Sequence, residues 1–451
     1  MKLSLTWGQV AAMADARLVK GNPDAPFDSF CTDTRSLKPG EIFWALKGRT
    51  FDANSFLSSP QARAAGGWIA SSGAVSGLSG LPSQVLEADD TLVALHNLAA
   101  MHRRRFPIPV AAVTGSNGKT TTKEVIFSIF SKAGPTAANK GNLNNHFGLP
   151  LSVLEMGPEH RFAVYELGAS AGGEVLQIAG IARPSVAIVT SIAPEHTEFF
   201  GDIENIYRTE TESWRCLLPG GTLVYCADDG MLRRLDREWA GPRLTFGTAE
   251  DASVRVLEGD GLVLRHEGRD YAADFIYPQS YNRLNAAGAA CVALASGLGW
   301  DTILSGLSAF RAPALRSQTV EIGGAKILLD AYNANPGSMN VALPEFCRLN
   351  PGPRYAVLGT MKELGAQSAR YHAELGSLLS TLPLEAVFLS GDEMKPAADV
   401  LSGGRLKVFY SREWEAWYPE LEKAVRGGGS FIVKASRSLA YEKIVERLRM
   451  Q

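Results

Sequence analysis

The sequence predicts an α/β protein of three domains, and three observations support this prediction. Apolar runs alternate with helical stretches through most of the chain, as in parallel sheets whose strands are joined by crossover helices. The chain has 451 residues, and a domain commonly takes about 150 of them. Glycine accounts for 45 residues, which exceeds the usual share of about 7% and suits the tight turns of nucleotide-binding α/β folds.

Two breaks at prolines divide the chain into these domains. A helix is predicted over residues 86–105, and Pro107 and Pro109 would end it. Apolar strands begin again at Val110, and a second break lies near Pro313. We therefore expect the following segments: an N-terminal domain of residues 1–85, a linker helix of residues 86–106, a central domain of residues 107–312 with a P-loop ATPase-like parallel sheet, and a Rossmann-like C-terminal domain of residues 313–451.

The charge balance and the cysteines exclude several classes of protein. Lys plus Arg total 45 and Asp plus Glu total 47, so the formal net charge is −2. This balance argues against a protein that coats nucleic acid or an anionic membrane. The five cysteines form no CxxC pair or Cys/His cluster, and no signal peptide or membrane span is recognisable. A cytoplasmic protein without zinc or disulfides is expected.

The strongest motif predicts a phosphate site after the strand Val110–Val113. The strand leads into a turn with Gly115 and Gly118, and Lys119 and Thr120 open the helix that follows. Glycines let backbone N–H groups converge on an anion, the lysine reaches the outer phosphates and the threonine hydroxyl suits Mg²⁺. The last residue of the strand stands where the strict pattern has its first glycine. A glycine turn with an incidental lysine is the alternative.

Two ionisable residues follow apolar strands, where an unpaired charge is rare. Glu166 ends the run Phe162–Tyr165 and is a candidate Mg²⁺ ligand, although a salt bridge or a helix cap would explain it equally well. His196 follows the run Val186–Ile192, and a lone histidine in this position is more often structural than functional.

Two polar loops in the C-terminal domain are candidate ligand contacts. Asp330–Pro336 follows the strand Ile327–Leu329, and Lys434–Arg437 follows the strand Phe431–Val433. Ligands of open α/β sheets bind beyond the carboxyl ends of the strands, so both loops lie where a site can form. Ordinary turn chemistry for the first loop and a solvated surface for the second are the alternatives.

The segment Thr114–Thr122 resembles the ATP loop of the Mur ligases, the ATP-dependent amide-forming enzymes of bacterial cell-wall precursor synthesis. Asp33–Ser36, with Pro39–Phe43 and Ala45–Gly48, resembles the uridine-nucleotide-binding domain of some members. Further resemblances, to the member that adds the last two residues, lie in the segments Asn142–Asn145, Gly148–Pro150, Asp330–Pro336 and Leu358–Gly365. The resemblance covers nearly the whole chain. It implies a ligase that adds D-alanyl-D-alanine to UDP-N-acetylmuramoyl-tripeptide through an acyl phosphate.

The resemblance also implies ATP and Mg²⁺ as cofactors and gives roles to individual residues. The expected catalytic residues are Lys119, Glu166 and His196. The expected ATP contacts are Gly115, Ser116, Asn117, Gly118, Lys119, Thr120, Thr121, Asn282, Asn285, Arg316 and Asp330. The expected metal ligands are Thr120, Glu166, His196 and Glu210. The expected contacts with the other substrates are Thr34, Arg35, Ser36, Lys47, Asn144, Asn145, Tyr332, Asn333, Asn335, Lys434, Ser436 and Arg437. The C-terminal domain is expected to bind the dipeptide and to close on ATP.

Four positions depart from the family pattern. Mur ligases usually have a carbamylated lysine near a second metal, and Glu210 stands there in this chain. Either Glu210 supplies the negative charge directly, or the second metal is shifted or absent. Tyr281, Leu329 and Ala435 replace a usual histidine, acid and glycine.

Two other functions remain open at this point. One is the related ligase that adds the third peptide residue, although the Asp-Asn-Pro-Arg segment usual in that enzyme is missing from the sequence. The other is a nucleotide-binding homologue that has lost catalysis, which the departures at the second metal would explain. Folylpolyglutamate synthetase is a more remote relative, and the N-terminal domain argues against it. A monomer is expected, without nucleic acid or membrane insertion.

Overall fold

The structure is a computed structural model that describes residues 3–48 and 51–450. The chain divides into two compact units. The first unit comprises Met1–Ala112, Gly134–Leu167 and Leu176–Pro184, and the second comprises Val113–Ala133, Gly168–Val175 and Ser185–Gln451. Each unit is described separately.

The first unit contains a five-stranded N-terminal sheet. The N-terminal elements of this unit are β1 (Leu5–Thr6), α1 (Trp7–Ala14), β2 (Arg17–Lys20), β3 (Pro26–Phe27), β4 (Phe30–Cys31), β5 (Ile42–Trp44), α2 (Pro60–Arg63), β6 (Gly67–Ser71), β7 (Gln84–Ala88) and α3 (Thr91–Arg103). The strands β1 and β3 pair with each other and lie outside the five-stranded sheet. The sheet has the order β2-β7-β6-β5-β4, in which only β2 is antiparallel to its neighbour. Phe43, Trp68 and Ala70 are buried on one face and form a small core with the loop after β5.

The central elements begin with the strand that precedes the candidate phosphate loop. They are β8 (Val110–Thr114), α4 (Lys119–Ala133), β9 (Thr136–Ala138), α5 (Gly148–Leu154), β10 (Phe162–Glu166), α6 (Glu174–Ala182), β11 (Val186–Val189), α7 (Thr197–Phe200), α8 (Ile203–Glu210), β12 (Thr222–Cys226), α9 (Leu235–Glu238), β13 (Arg243–Gly247), β14 (Val254–Val256), β15 (Leu262–His266), β16 (Arg269–Ala273), α10 (Ser280–Ala295) and α11 (Trp300–Ala309). In the first unit β9 and β10 pair in parallel. In the second, β11, β12, β13 and β14 are parallel, and β15 and β16 extend the sheet antiparallel.

The C-terminal elements form a separate six-stranded sheet within the second unit. They are β17 (Gln318–Ile322), β18 (Ala325–Leu329), α12 (Pro336–Leu349), β19 (Arg354–Gly359), α13 (Ser368–Thr381), β20 (Ala386–Ser390), α14 (Lys395–Leu401), β21 (Lys407–Ser411), α15 (Tyr418–Arg426), β22 (Gly429–Lys434) and α16 (Glu442–Arg449). Their order is β17-β18-β22-β19-β20-β21, and only β17 is antiparallel. Adjacent residues such as Phe388 and Leu389 are buried in different cores on the two faces. A sheet buried on both faces is typical of this doubly wound arrangement.

Most of the predicted strands are confirmed, but the predicted helix over residues 86–105 is wrong at its start. Residues 84–88 form the buried strand β7, and the helix begins at Thr91. Asp90 caps it, because its carboxylate accepts hydrogen bonds from the backbone N–H groups of Leu92 and Val93. Short 3-10 helices lie at Ala53–Phe56, Glu212–Cys216, Leu232–Arg234, Gly365–Gln367, Asp392–Met394, Trp414–Ala416 and Arg437–Leu439. Among the described residues, no helix is long and apolar enough to span a membrane.

Candidate active site

The candidate phosphate loop connects β8 to α4, as predicted. Gly115 has φ +115°, and a Cβ there would lie 2.3 Å from the Thr190 hydroxyl. That hydroxyl donates to the carbonyls of Thr114 and Asn117, at 3.0 and 2.6 Å. Only glycine therefore fits at the first turn of the loop. Gly118 has φ +84°, and the Asn285 side chain would lie 2.4 Å from its Cβ.

The segment after β11 supports the loop from the side. The backbone N–H of Ser116 donates to the carbonyl of Ser191 at 2.7 Å, and the N–H of Asn117 donates to the Ser191 hydroxyl at 3.1 Å. The Ser116 hydroxyl in turn donates to the Ala193 carbonyl at 3.0 Å. These bonds fix the loop in one conformation at the start of a 15-residue helix, where backbone N–H groups favour an anion.

Lys119 lies beside two buried acids. Its ammonium group donates to the Gly115 carbonyl and is 3.4 Å from Glu195 and 4.0 Å from Glu210. Glu210 is 1% exposed and accepts the backbone N–H of Gly115. Burial raises the pKa of Glu195 to about 8; Lys119 opposes this shift and the charge of Glu210 adds to it. The carboxyl group of Glu195 is therefore mostly protonated near neutral pH.

Two residues of the C-terminal domain reach the phosphate loop within the second unit. The guanidinium of Arg316 donates to the Thr120 hydroxyl at 2.8 Å and stacks 4.0 Å above the ring of Tyr332. The side-chain amide of Asn335 donates to that of Asn117 at 3.0 Å. The structure therefore brings Arg316, an expected ATP contact, and Asn335, an expected contact of another substrate, against the phosphate loop.

The other predicted C-terminal residues lie around the ends of β18 and β22. Lys434 is buried; its ammonium group donates to Asp330 at 2.7 Å and to the Asn333 carbonyl at 3.0 Å. The Ser436 hydroxyl accepts the backbone N–H of Lys362 at 2.9 Å. Arg437 is half-exposed and pairs with Glu442 at 2.7 Å, away from this cluster of bonds.

Two of the expected ATP contacts, Asn282 and Asn285, lie at the start of α10. Asn282 is buried, and its amide donates to Gln279 at 3.0 Å and to the Ser317 hydroxyl at 3.2 Å. The N–H of Ser317 donates to Asp330 at 3.2 Å. Asn282 and Asp330, which are both expected ATP contacts, are thus joined through Ser317.

Glu166 lies in the first unit with the asparagine segment that the sequence singled out. Its Oε1 accepts the Asn144 amide at 2.7 Å, and its backbone exchanges hydrogen bonds with the side chain of Asn139. Its Oε2 is buried and has no hydrogen-bond partner among the described residues. Asn145 is used locally, since its Oδ1 accepts the backbone N–H of Gly148 at 2.9 Å.

Three of the four residues expected to bind the uridine nucleotide, Thr34, Arg35 and Ser36, lie in one turn of the first unit. Arg35 is exposed and pairs with Asp33, and its hydrogen bonds lower the pKa of that carboxyl to about 2. Ser36 donates to the Asp33 carbonyl at 3.3 Å, and the backbone N–H of Lys47 donates to the Thr91 hydroxyl at 3.2 Å. Thr34 is partly exposed. Their role stays a prediction.

Comparison with known proteins identifies the family. The family model for the Mur ligase middle domain matches residues 113–293, and the model for the Mur ligase glutamate ligase domain matches residues 315–437. A UDP-N-acetylmuramoyl-tripeptide–D-alanyl-D-alanine ligase from Synechocystis is 31% identical, over 94% of this chain and 92% of the relative. This chain belongs to the Mur ligase family. It is therefore an ATP-dependent ligase, which confirms the predicted class of enzyme.

Solved Mur ligase structures confirm the predicted three-domain α/β fold. A crystal structure of MurF from Acinetobacter baumannii aligns with a TM-score of 0.91 at 29% identity and covers 99% of both chains. MurF from Thermotoga maritima, solved in complex with ADP, aligns with a TM-score of 0.83 at 27% identity; 94% of this chain and 97% of that chain are covered. The predicted domain boundaries themselves stay a prediction.

The predicted Mg²⁺ ligands can be compared with the donor atoms of this Mur ligase. Among the described residues, no three His, Cys, Asp or Glu side chains gather into a metal-binding group. Mg²⁺ commonly takes one or two carboxylates together with phosphate oxygens and water, so such a group is not required. The unpartnered buried Oε2 of Glu166 is a suitable oxygen ligand. The Glu210 carboxylate instead accepts the first N–H of the phosphate loop.

The sequence reasoning missed several residues that this Mur ligase places in the site. Glu195 follows an apolar strand, which is the signal that singled out Glu166. Thr190 and Ser191 are polar residues directly after β11. They therefore lie at the carboxyl end of a strand, where ligands of open α/β sheets bind. Glu363 lies within a segment that carried the family resemblance, but nothing in the sequence pairs it with His196. In the structure its carboxylate oxygen lies 2.5 Å from Nδ1 of His196.

Proposed function

We propose that this Mur ligase joins D-alanyl-D-alanine to UDP-N-acetylmuramoyl-tripeptide at the expense of ATP, in peptidoglycan precursor synthesis. One observation carries the proposal. Arg316 and Asn335, which belong to the C-terminal domain, bond to Thr120 and Asn117 of the phosphate loop. The amine of the dipeptide must reach the acyl phosphate that forms at the γ-phosphate of ATP, so a residue expected to contact the dipeptide should lie beside the phosphate loop, as Asn335 does.

The phosphate loop and α4 hold the nucleotide in this proposal. Backbone N–H groups of Gly118–Thr121 and the ammonium of Lys119 bind the phosphates, and Arg316 adds a second positive charge. Asn282 and Asn285 face the adenine, and Asp330 lies near the ribose. Thr120, Glu166 and His196 would hold Mg²⁺, which would supply positive charge at the transferred phosphoryl group. Glu210 holds Gly115 in place.

The reaction proceeds in two transfers. A carboxylate oxygen of the tripeptide attacks the γ-phosphorus, the bond from phosphorus to the bridging oxygen breaks and ADP leaves. The amine of D-alanyl-D-alanine then attacks the acyl carbon, loses a proton and displaces phosphate as the amide forms. Lys119 and Arg316 stabilise the negative charge that spreads over the phosphoryl oxygens in the first transfer.

Two further groups of residues orient the other substrates. Thr34, Arg35, Ser36 and Lys47 bind the uridine nucleotide, and Asn144 and Asn145 contact the peptide. Tyr332, Asn333, Asn335, Lys434, Ser436 and Arg437 contact the dipeptide or support its loop. The ion pair of Lys434 with Asp330 fixes the loop Asp330–Pro336, which also carries Asn335. The nucleotide substrates favour the cytoplasm, and the enzyme works as a monomer in this proposal.

Phosphate release under defined omissions tests this function. The full reaction contains ATP, Mg²⁺, UDP-N-acetylmuramoyl-tripeptide and D-alanyl-D-alanine, and mass spectrometry should show the pentapeptide product. A parallel reaction supplies UDP-N-acetylmuramoyl-dipeptide with a diamino acid or lysine. Turnover only in this second reaction would instead identify the ligase of the third residue. ATP binding without turnover in either would identify a catalytically inactive homologue.

A further inference from the structure

His196 lies at a contact between two segments of the second unit. The helix α7 and the residues around it meet the turn Glu363–Gln367 of the C-terminal domain. The N–H of Glu198 donates to the Glu363 carbonyl at 3.1 Å, the Thr197 hydroxyl donates to the Leu364 carbonyl at 3.1 Å, and the Gln367 amide donates to the Gly201 carbonyl at 3.0 Å. Three hydrogen bonds thus hold the backbone next to His196 against the C-terminal domain.

The two residues that face each other across this contact have unusual backbones. His196 has φ +48° and Glu363 has φ +64°. Residues with a Cβ seldom adopt this left-handed region, and such conformations persist where the surrounding structure imposes them. The surrounding structure therefore imposes the backbone conformation of both residues.

The contact itself determines the orientation of the imidazole ring. The Nδ1 of His196 lies 2.5 Å from a carboxylate oxygen of Glu363, and Nε2 lies 3.9 Å from Glu195. A carboxylate only accepts hydrogen bonds, so Nδ1 carries the hydrogen. The neutral ring then has its lone pair on Nε2, which is the form that can bind a metal ion.

The other side of the Glu363 turn is fixed as well. The N–H of Lys362 donates to the Ser436 hydroxyl at 2.9 Å, and the N–H of Met361 donates to His372 at 3.1 Å. The Lys362 side chain pairs with Glu393 at 2.8 Å. The carboxylate that orients His196 is therefore mounted on a rigid part of the C-terminal domain.

We propose that Glu363 is a positioning residue of the ligase reaction. It holds His196 in the Nδ1-protonated form and so presents Nε2 as a ligand. The carboxylate comes from the C-terminal domain, so that domain orients the side chain of a histidine in the ATP-binding domain. The inference rests on the proposed function in one respect, namely that His196 binds Mg²⁺.

The tautomer of His196 is the direct test. The full-length enzyme, free of nucleotide and Mg²⁺, is labelled with ¹⁵N-histidine, and the ring is observed by NMR at a pH where it is neutral. The chain has seven histidines, and His196→Gln identifies the signal. We expect Nδ1–H in the wild type and in Glu363→Gln, which keeps an acceptor oxygen, and a shift toward Nε2–H in Glu363→Ala. An unchanged tautomer in Glu363→Ala would overturn the proposal.

Matched variants guard against a trivial loss of folding. Glu363→Asn is a second truncation, because asparagine tolerates the left-handed region while its side chain is too short to reach Nδ1. Glu374→Ala is the control: Glu374 is 51% exposed, against 50% for Glu363, and its carboxylate pairs with the side chain of Arg370. Thermal unfolding should show that each variant folds.

Kinetics separate this inference from the proposed function. Glu363→Ala and Glu363→Asn should raise the Mg²⁺ concentration for half-maximal phosphate release by about 10- to 100-fold, as losses of ligand-supporting residues do. Glu363→Gln and Glu374→Ala should stay near wild type; an equal loss in Glu363→Gln would overturn the hydrogen-bond role. If His196→Ala left the Mg²⁺ requirement unchanged, the metal role of His196 would fail, whereas the tautomer would still report on Glu363.

Discussion

The hydrogen bond between Asn335 and Asn117 should contribute to catalysis, and a double-mutant cycle can measure it. Asn335 is buried and has two separate partners. Its Nδ2 donates to Asn117 at 3.0 Å, and its Oδ1 accepts the N–H of Ser338 at 2.7 Å, which caps α12. Replacement by alanine would remove both bonds, so it cannot isolate the contact between the domains.

Replacement of Asn335 by serine separates the loss of the hydrogen bond to Asn117 from the loss of the helix cap. Serine is as good a helix cap as asparagine, whereas alanine costs about 1 kcal/mol of stability at such a position. Asn335→Ser should therefore preserve α12 while its short hydroxyl leaves Asn117 without its donor. Asn117→Ala removes the acceptor but keeps the backbone N–H that donates to Ser191. A net hydrogen bond is worth about 0.5–1.5 kcal/mol, which corresponds to about 2- to 13-fold in kcat/KM.

The assay is phosphate release with ATP varied and both other substrates saturating. Four enzymes are compared: wild type, Asn117→Ala, Asn335→Ser and the double variant. We expect the double variant to lose less kcat/KM than the product of the single losses, by the factor given above. Urea unfolding of Asn335→Ser and Asn335→Ala provides the control, and only the alanine variant should be destabilised.

A double variant whose loss of kcat/KM equals the product of the two single losses would refute the reasoning. This result would mean that the two side chains do not interact in the transition state, and that the bond belongs only to the nucleotide-free enzyme. Equal stability of the serine and alanine variants would contradict the capping role of Asn335.

Three further predictions follow from the ionic groups of the site. Lys119→Ala should lower turnover by at least about 100-fold because it removes charge at the phosphates, and it should also weaken urea resistance because the buried Glu210 carboxylate loses a nearby cation; near-normal turnover would reject the assignment. Glu166→Gln should raise the Mg²⁺ requirement at least about 10-fold, the loss seen even for residues that only support a ligand; an unchanged Mg²⁺ titration would contradict its role. Lys434→Met should reduce the free energy of unfolding by about 3 kcal/mol, since it strands the carboxylate of Asp330, and Asp330→Asn in the same chain should recover part of the loss; a urea midpoint equal to that of the wild type would argue against the buried pair.

The sequence predicted the strands of the parallel sheets well because each is a short, wholly apolar run. The predicted strand Val110–Val113 is a clear case, since the observed strand Val110–Thr114 is only one residue longer. The start of α3 was missed for a physical reason. Residues 84–88 are all buried in a strand although they include Gln84 and Glu87, and so short a segment without polar-apolar alternation does not distinguish a buried strand from the start of a helix. Asp90, which caps the helix, was the signal that could have placed its start.

The partners of the site residues could not be predicted because they depend on tertiary structure. Glu210 ends α8 and belongs to no recognisable motif, yet it accepts the first N–H of the phosphate loop. Glu363 meets His196 only after two separate sheets have formed. Sequence spacing identifies strand ends, whereas the pairing of one strand end with another depends on how the elements pack.

A phosphate-binding lysine beside two buried acids raises an electrostatic question. If both carboxyls were charged, they would outweigh Lys119 and oppose a polyanion. Burial and the neighbouring charge of Glu210 raise the pKa of Glu195 to about 8, so this acid is largely neutral at pH 7. The charge of Glu210 is directed at the N–H of Gly115. Lys119, the N–H groups of α4 and Arg316 then leave the loop locally positive, although the chain as a whole carries a formal charge of −2.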